Sequence, residues 1–179
     1  RRALAAVREN SAIRALIVTG AGRAFCAGAE LDDNFSGVNS ESSVSDTLNE
    51  NMQEHFNPWV RDIESFPIPV IAAVNGVAVG AGVGIALAAD ITIAAQSASF
   101  ILSFAPKLGL IPDLGSPWQI PRGIGLARAR GLALLGNKLT AEKALEWGLI
   151  WECVSDEQLF ARAEAIALQL SHLPSHIPE

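Results

Sequence analysis

Val70-Ile71-Ala72-Ala73-Val74-Asn75-Gly76-Val77-Ala78-Val79-Gly80-Ala81-Gly82 is the stretch whose reading decides the fold. The unbroken apolar run at 70–74 suits a strand buried on both faces. Asn75-Gly76 is a turn signal, and the closely spaced glycines lead into a small-residue helix over 81–89. An earlier segment follows the same plan. Residues 14–19 form a near-continuous apolar run that suits another buried strand. Gly20-Ala21-Gly22 ends it, and Ala24-Phe25-Cys26-Ala27-Gly28-Ala29-Glu30-Leu31 makes a second small-residue turn.

Working outward, residues 90–95 read as a third strand and 126–135 as a helix. Thr140 can cap a helix running to Trp147, with Gly148 as its stop. A short strand over 150–154 precedes an amphipathic helix over 156–171, which places Leu159, Phe160, Ala163, Ile166 and Leu170 on one face. Toward the N-terminus, residues 1–10 have helical spacing, with Leu4 and Val7 on one side. Residues 32–46 are polar and read as a mobile loop; a helix should run from about 44 to 65, with Pro58 as a possible kink. Strands alternating with helices give an α/β class. No sequence repeat and no second domain are visible, so residues 1–179 form one domain, long enough to bury roughly 68–70% of its unfolded surface.

Composition excludes several functions. The net charge is −6 and no run of Lys or Arg occurs, so a nucleic-acid footprint is not expected. An anionic ligand would need locally placed basic groups. Two cysteines, Cys26 and Cys153, make no disulfide framework and fit a reducing cytoplasm. No signal peptide is visible at the start, which agrees with a cytoplasmic location. Residues 68–89 carry no charge and could span a membrane by length. Pro69, Asn75-Gly76 and the glycines at 80, 82 and 84 break that run, so soluble core is the expectation and no membrane association. The dinucleotide fingerprint fails at Phe25 and again at Ile85. His55, His172 and His176 are too scattered for a triad, and no metal site is expected.

What survives is the pair of turns. Backbone N–H groups at both could converge on one oxygen, the construction that holds charge developing on a carbonyl. The plainer alternative is that Gly and Ala only permit tight reversal. If Ala81 starts a helix, its N–H is an unpaired donor, which favours the first reading. Proton transfer beside such a carbonyl also needs a base. Ile111-Pro112-Asp113-Leu114-Gly115 offers Asp113, an acid among Leu110, Ile111 and Leu114 whose desolvation would raise its pKa. The plainer alternative is an ordinary Pro-Asp-x-Gly turn.

Ala24–Leu31 and Val70–Gly82 together resemble the two oxyanion segments of the crotonase (enoyl-CoA hydratase/isomerase) superfamily, and the resemblance covers nearly the whole chain. It implies the ClpP/crotonase-like fold of repeated ββα units, truncated here at both ends. By that match Ala29 and Ala81 supply the N–H groups of the hole. Ala27, Glu30 and Leu31 fall where the family's backbone meets the adenine end of coenzyme A, Ala29 counts with them among the coenzyme A contacts, and Arg23 is placed to approach a phosphate. The hydratases' two glutamates correspond to Gly84 and Phe104, neither of which takes a proton. Asp113 alone is similar to the isomerase branch. Gly131-Leu132-Ala133-Leu134-Leu135-Gly136-Asn137, Ala141-Glu142, Glu146-Trp147-Gly148 and Phe56-Asn57-Pro58 look most like the ring-epoxide acyl-CoA isomerases of phenylacetate degradation. Ser116-Pro117 replaces a smaller, more flexible pair and implies a stiffer loop. The implied activity shifts a double bond or isomerises a ring epoxide in a CoA thioester. No prosthetic group is implied, coenzyme A enters as part of the substrate, and a homotrimer or dimer of trimers is the implied assembly. An enoyl-CoA hydratase and a non-catalytic acyl-CoA-binding protein stay open as alternatives.

Overall fold

A computed structural model describes residues 2–28, 50 and 52–173. The described chain builds two four-stranded sheets. The first has the order β1 (Leu16–Thr19), β3 (Val70–Val74), β5 (Ile91–Ala95), β8 (Glu152–Val154), all parallel. The second has the order β2 (Ala24–Cys26), β4 (Val77–Val79), β6 (Ser99–Ile101), β7 (Leu139–Thr140). Its last pair is antiparallel. Two passes of the chain lay one strand in the first sheet and the next in the second, then enter a helix. Thus β3 and β4 lead to α3 (Ala81–Leu87), and β5 and β6 lead to α4 (Phe104–Leu108). The ββα repeat lies in topology rather than in sequence.

Val70–Val74 is a strand as expected, and every residue of it is buried because both faces are covered. β1 is only half-buried, in contrast to its continuous apolar run, because it forms the edge of the described sheet. α8 (Leu159–Ser171) packs across β1, β3 and β5 through Leu159, Ala163 and Ile166. Phe160 does not join that face. It is 54% exposed, since one residue after Leu159 the helix has rotated about 100° away from the sheet. A short 3₁₀ turn, Asp156–Gln158, opens this helix.

Five elements differ from expectation or add to it. β2 and β4 are strands within segments read as turns, and β6 is a strand where the sequence suggests no element, because three-residue strands are too short to show an alternating pattern. α5 (Ser116–Ile124) forms despite Pro117 and Pro121. Pro117 stands in its first turn, where a missing N–H costs nothing. Pro58 likewise falls in the first turn of α2 (Asn57–Glu64) and starts that helix rather than kinking one; a π-helical turn, Met52–Phe56, precedes it. Residues 32–49 lie outside the described part, and with them the expected loop. The helices α1 (Arg2–Arg8), α6 (Leu126–Leu135) and α7 (Ala141–Trp147) complete the chain. Thr140 Oγ1 accepts from the Lys143 N–H at 3.3 Å, and Gly148 closes α7 at φ 82°. Among the described residues no helix is long and apolar enough to cross a membrane.

Candidate active site

α3 is a helix of small residues buried almost throughout, and that composition lets three segments approach its backbone. From one side comes the end of β2: a Cβ at Gly82 would lie 2.6 Å from the Cys26 carbonyl oxygen. Gly28, at φ 96°, is close enough to β4 that an added Cβ would sit 3.2 Å from the Val79 oxygen. The two small-residue turns are therefore neighbours, as far as Gly28. Ala29, Glu30 and Leu31 lie outside the described residues. Ala27 is described and exposed.

The junction between β4 and α3 is held firmly. Gly80 takes φ 53° and donates its N–H to the Ile101 oxygen at 2.9 Å, while its carbonyl accepts from the Val83 N–H at 3.0 Å. Ala81 follows, buried, as the first helical residue. Among the described residues its N–H donates to no acceptor, as the geometry of a helix start requires. Phe104 rests its ring on this junction; a Cβ at Gly80 would meet Phe104 Cζ at 3.2 Å. An aromatic ring so placed keeps the turn apolar.

Asn75, read in the sequence only as a turn residue, ties the two turns together. Its Oδ1 accepts from the Gly20 N–H at 3.0 Å and its Nδ2 donates to the Gly22 oxygen at 2.9 Å. No sequence signal separated this role from that of an ordinary Asn-Gly.

The third segment to reach α3 is the loop 109–115. Leu114 is 3% exposed and takes φ 49°, a conformation costly for a residue with a branched side chain. It lies directly against Gly84, which has no Cβ to obstruct it. Asp113 is thereby carried to α3. Its carbonyl accepts from both the Ser116 N–H at 3.0 Å and Ser116 Oγ at 2.5 Å. Asp113 Oδ1 is buried without a hydrogen-bond partner. Burial pushes the carboxyl up from its ordinary 3.8 to about 6, opposed in part by a hydrogen bond from its own N–H. A carboxylate with that affinity for a proton can take one and return it near neutral pH.

Arg23 is exposed at the start of β2. It borders a cleft of about 350 Å³ that Gly76, Val77, Ser99 and Lys138 also line. Two cations on one cleft give an anion a place to dock on an otherwise acidic chain. Among the described residues no group of three or more metal-ligating side chains occurs.

A family profile described as Enoyl-CoA hydratase/isomerase matches residues 1–178. The chain is 50% identical over 169 residues to the 1,2-epoxyphenylacetyl-CoA isomerase of Escherichia coli K12, covering 94% of this chain and 63% of that one. It thus spans less than two thirds of the length of that relative. The solved enoyl-CoA hydratase of Bacillus anthracis superposes with a TM-score of 0.84 at 36% identity, over 97% of this chain and 65% of that one. A monofunctional enoyl-CoA isomerase from M. smegmatis superposes at 0.74 with 31% identity, over 97% and 70%.

Proposed function

The chain belongs to the enoyl-CoA hydratase/isomerase family, and from that premise we propose that it is the catalytic part of an acyl-CoA isomerase in which Asp113 moves a proton along the acyl group. The observation that carries this reading is the Asp113 carboxyl. It is partly buried, has one oxygen without a partner, holds its proton up to about pH 6, and is borne on a loop packed against the helix that begins at Ala81.

In this reading the thioester carbonyl oxygen accepts hydrogen bonds from the N–H groups of Ala81 and Ala29. Asp113 removes a proton from the carbon next to the carbonyl. The C–H electron pair moves into the acyl group, and negative charge collects on the oxygen held by the two donors. The Asp113 proton then returns to a carbon farther along, so the double bond has shifted and no atom has been gained or lost. One such donor is worth about 2.7–4 kcal/mol of transition-state stabilisation. Arg23, with Lys138 across the cleft, supports phosphate binding, while Ala27, Glu30 and Leu31 would meet the adenine end of coenzyme A. The isomerisation of a ring epoxide, the activity in the name of the E. coli relative, would use the same hole and base. A cytoplasmic homotrimer or dimer of trimers belongs to the same proposal.

Gly84 argues against two-glutamate hydration, because the contact with Leu114 leaves no room there for any side chain. The test is conversion of a 3-enoyl-CoA to its 2-enoyl isomer, and opening of a ring-epoxide CoA thioester, by the full-length protein and its Asp113→Asn variant. Turnover that collapses in the variant supports the proposal. Thioester binding without turnover in either form would identify a binding protein instead.

A further inference from the structure

Among the described residues, two buried side-chain polar atoms lack a hydrogen-bond partner: Asp113 Oδ1 and Gln119 Oε1. Buried polar atoms are almost always paired, so each exception calls for a reason. Proton transfer accounts for the first and leaves the second unexplained. Yet both stand on the same short arc of chain. Gln119 lies on α5 one turn beyond Gly115, and a Cβ at Gly115 would meet Gln119 Nε2 at 3.3 Å and Oε1 at 3.5 Å. The amide therefore rests on the loop that carries Asp113.

Glu64 decides which way that amide faces. It stands at the end of α2, and its Oε1 can only accept, so it must face the amide nitrogen; the Nε2–Oε1 distance is 2.9 Å. The Gln119 oxygen is then turned inward. A buried acceptor is costly when no donor meets it. The ionised Asp113 carboxylate on the same arc offers none, being an acceptor itself.

We propose that Gln119 is a specificity-determining residue whose Oε1 accepts a hydrogen bond from a hydroxyl on the acyl portion of the substrate, beyond the reacting carbons. Glu64 is the positioning residue that fixes the amide. The preferred substrates are then hydroxyl-bearing acyl-CoA thioesters rather than wholly hydrocarbon ones. This rests on the reading that Asp113 acts on the acyl carbons.

The test is equilibrium binding by titration calorimetry, with the full-length protein and hexanoyl-CoA against its 4-, 5- and 6-hydroxy forms. One hydroxy form should bind roughly tenfold more tightly than hexanoyl-CoA, the effect of one added hydrogen bond to a buried acceptor. Gln119→Leu should erase that preference and keep the affinity for hexanoyl-CoA. Gln119→Met preserves side-chain length without the amide oxygen and gives the same reading should the leucine variant fold poorly. Glu64→Ala should weaken the preference by freeing the amide to rotate. Equal affinities in the wild type, as when only a water meets the oxygen, overturn the proposal. So does a preference that persists in both Gln119 variants. Binding needs no turnover, so absence of a hydroxyl preference in the wild type removes only the role of Gln119. Absence of any thioester binding removes the acyl-CoA reading, and this role with it.

Discussion

Gly84 on α3 is seated against Leu114 so closely that a Cβ at position 84 would lie 2.7 Å from Leu114 Cβ, and nearer still to the Leu114 carbonyl oxygen. The contact joins the helix that starts at Ala81 to the residue following Asp113. Through it the donor end of the proposed site and its base are held in one rigid piece. In an ordinary helix Gly→Ala stabilises by about 1 kcal/mol. Here Gly84→Ala should instead destabilise by about 1–3 kcal/mol, because the added methyl must displace backbone. Urea unfolding of the variant reads the sign directly, and a gain in stability would show that the loop is not pinned.

Asp113→Asn keeps the shape of the side chain and removes its basicity. Isomerisation should fall by about 10²–10⁴-fold, the usual contribution of a positioned general base. The dissociation constant for a CoA thioester should change little, since the backbone donors and the Arg23 cleft are untouched. Steady-state kinetics paired with calorimetry separates the two effects. A variant with near wild-type turnover would exclude Asp113 as the base.

The raised carboxyl also fixes two pH dependences of opposite sense. As the proposed base Asp113 must act in its ionised form, so kcat/KM should rise through about pH 6 and level off above it. Stability runs the other way. The folded-state pKa lies above the ordinary 3.8, so the contribution of this group is fully present below that value and is lost as pH rises through about 6. Between pH 4 and pH 8 the wild type should therefore lose about 1–2 kcal/mol relative to Asp113→Asn, a figure reduced for the partial exposure of the carboxyl. Chemical denaturation of both proteins at the two pH values checks it. Parallel curves would place the carboxyl in water.

Much of this arrangement was legible in the sequence, for identifiable reasons. Val70–Val74 and Leu126–Leu135 carried enough consecutive signal to be placed to the residue. Thr140 and Gly148 marked the ends of α7 because capping depends on local chemistry alone. Asp113 could be picked out because an acid among Leu110, Ile111 and Leu114 is conspicuous, but of the three only Leu114 is buried, while Leu110 and Ile111 face outward and do not supply the expected desolvation. The short strands β4 and β6 left no pattern of their own; pairing with neighbours distant in sequence defines them. The buried face of α5 was hidden by its prolines. The roles of Gly84, Gln119 and Asn75 depend on partners 30 to 55 positions away, and no local reading reaches that far.

Asn75 makes that last point testable. It bridges the turn after β1 to the turn after β3, accepting from the Gly20 N–H and donating to the Gly22 oxygen. Asn75→Ala removes both bonds, of which only the Gly20 one is partly buried, and should cost about 1–2 kcal/mol. Asn75→Asp can still accept from Gly20 but presents a second acceptor to the Gly22 oxygen, so one bond survives and one is replaced by repulsion. If the Gly20 bond dominates, the aspartate variant is the more stable of the two. If the Gly22 bond dominates, it is the less stable. In both variants KM for a CoA thioester should rise more than kcat falls, because Arg23 follows Gly22 and its cleft is bounded on the other side by Gly76. Equal stability of both variants with the wild type would mean that the strands alone hold the turns in register.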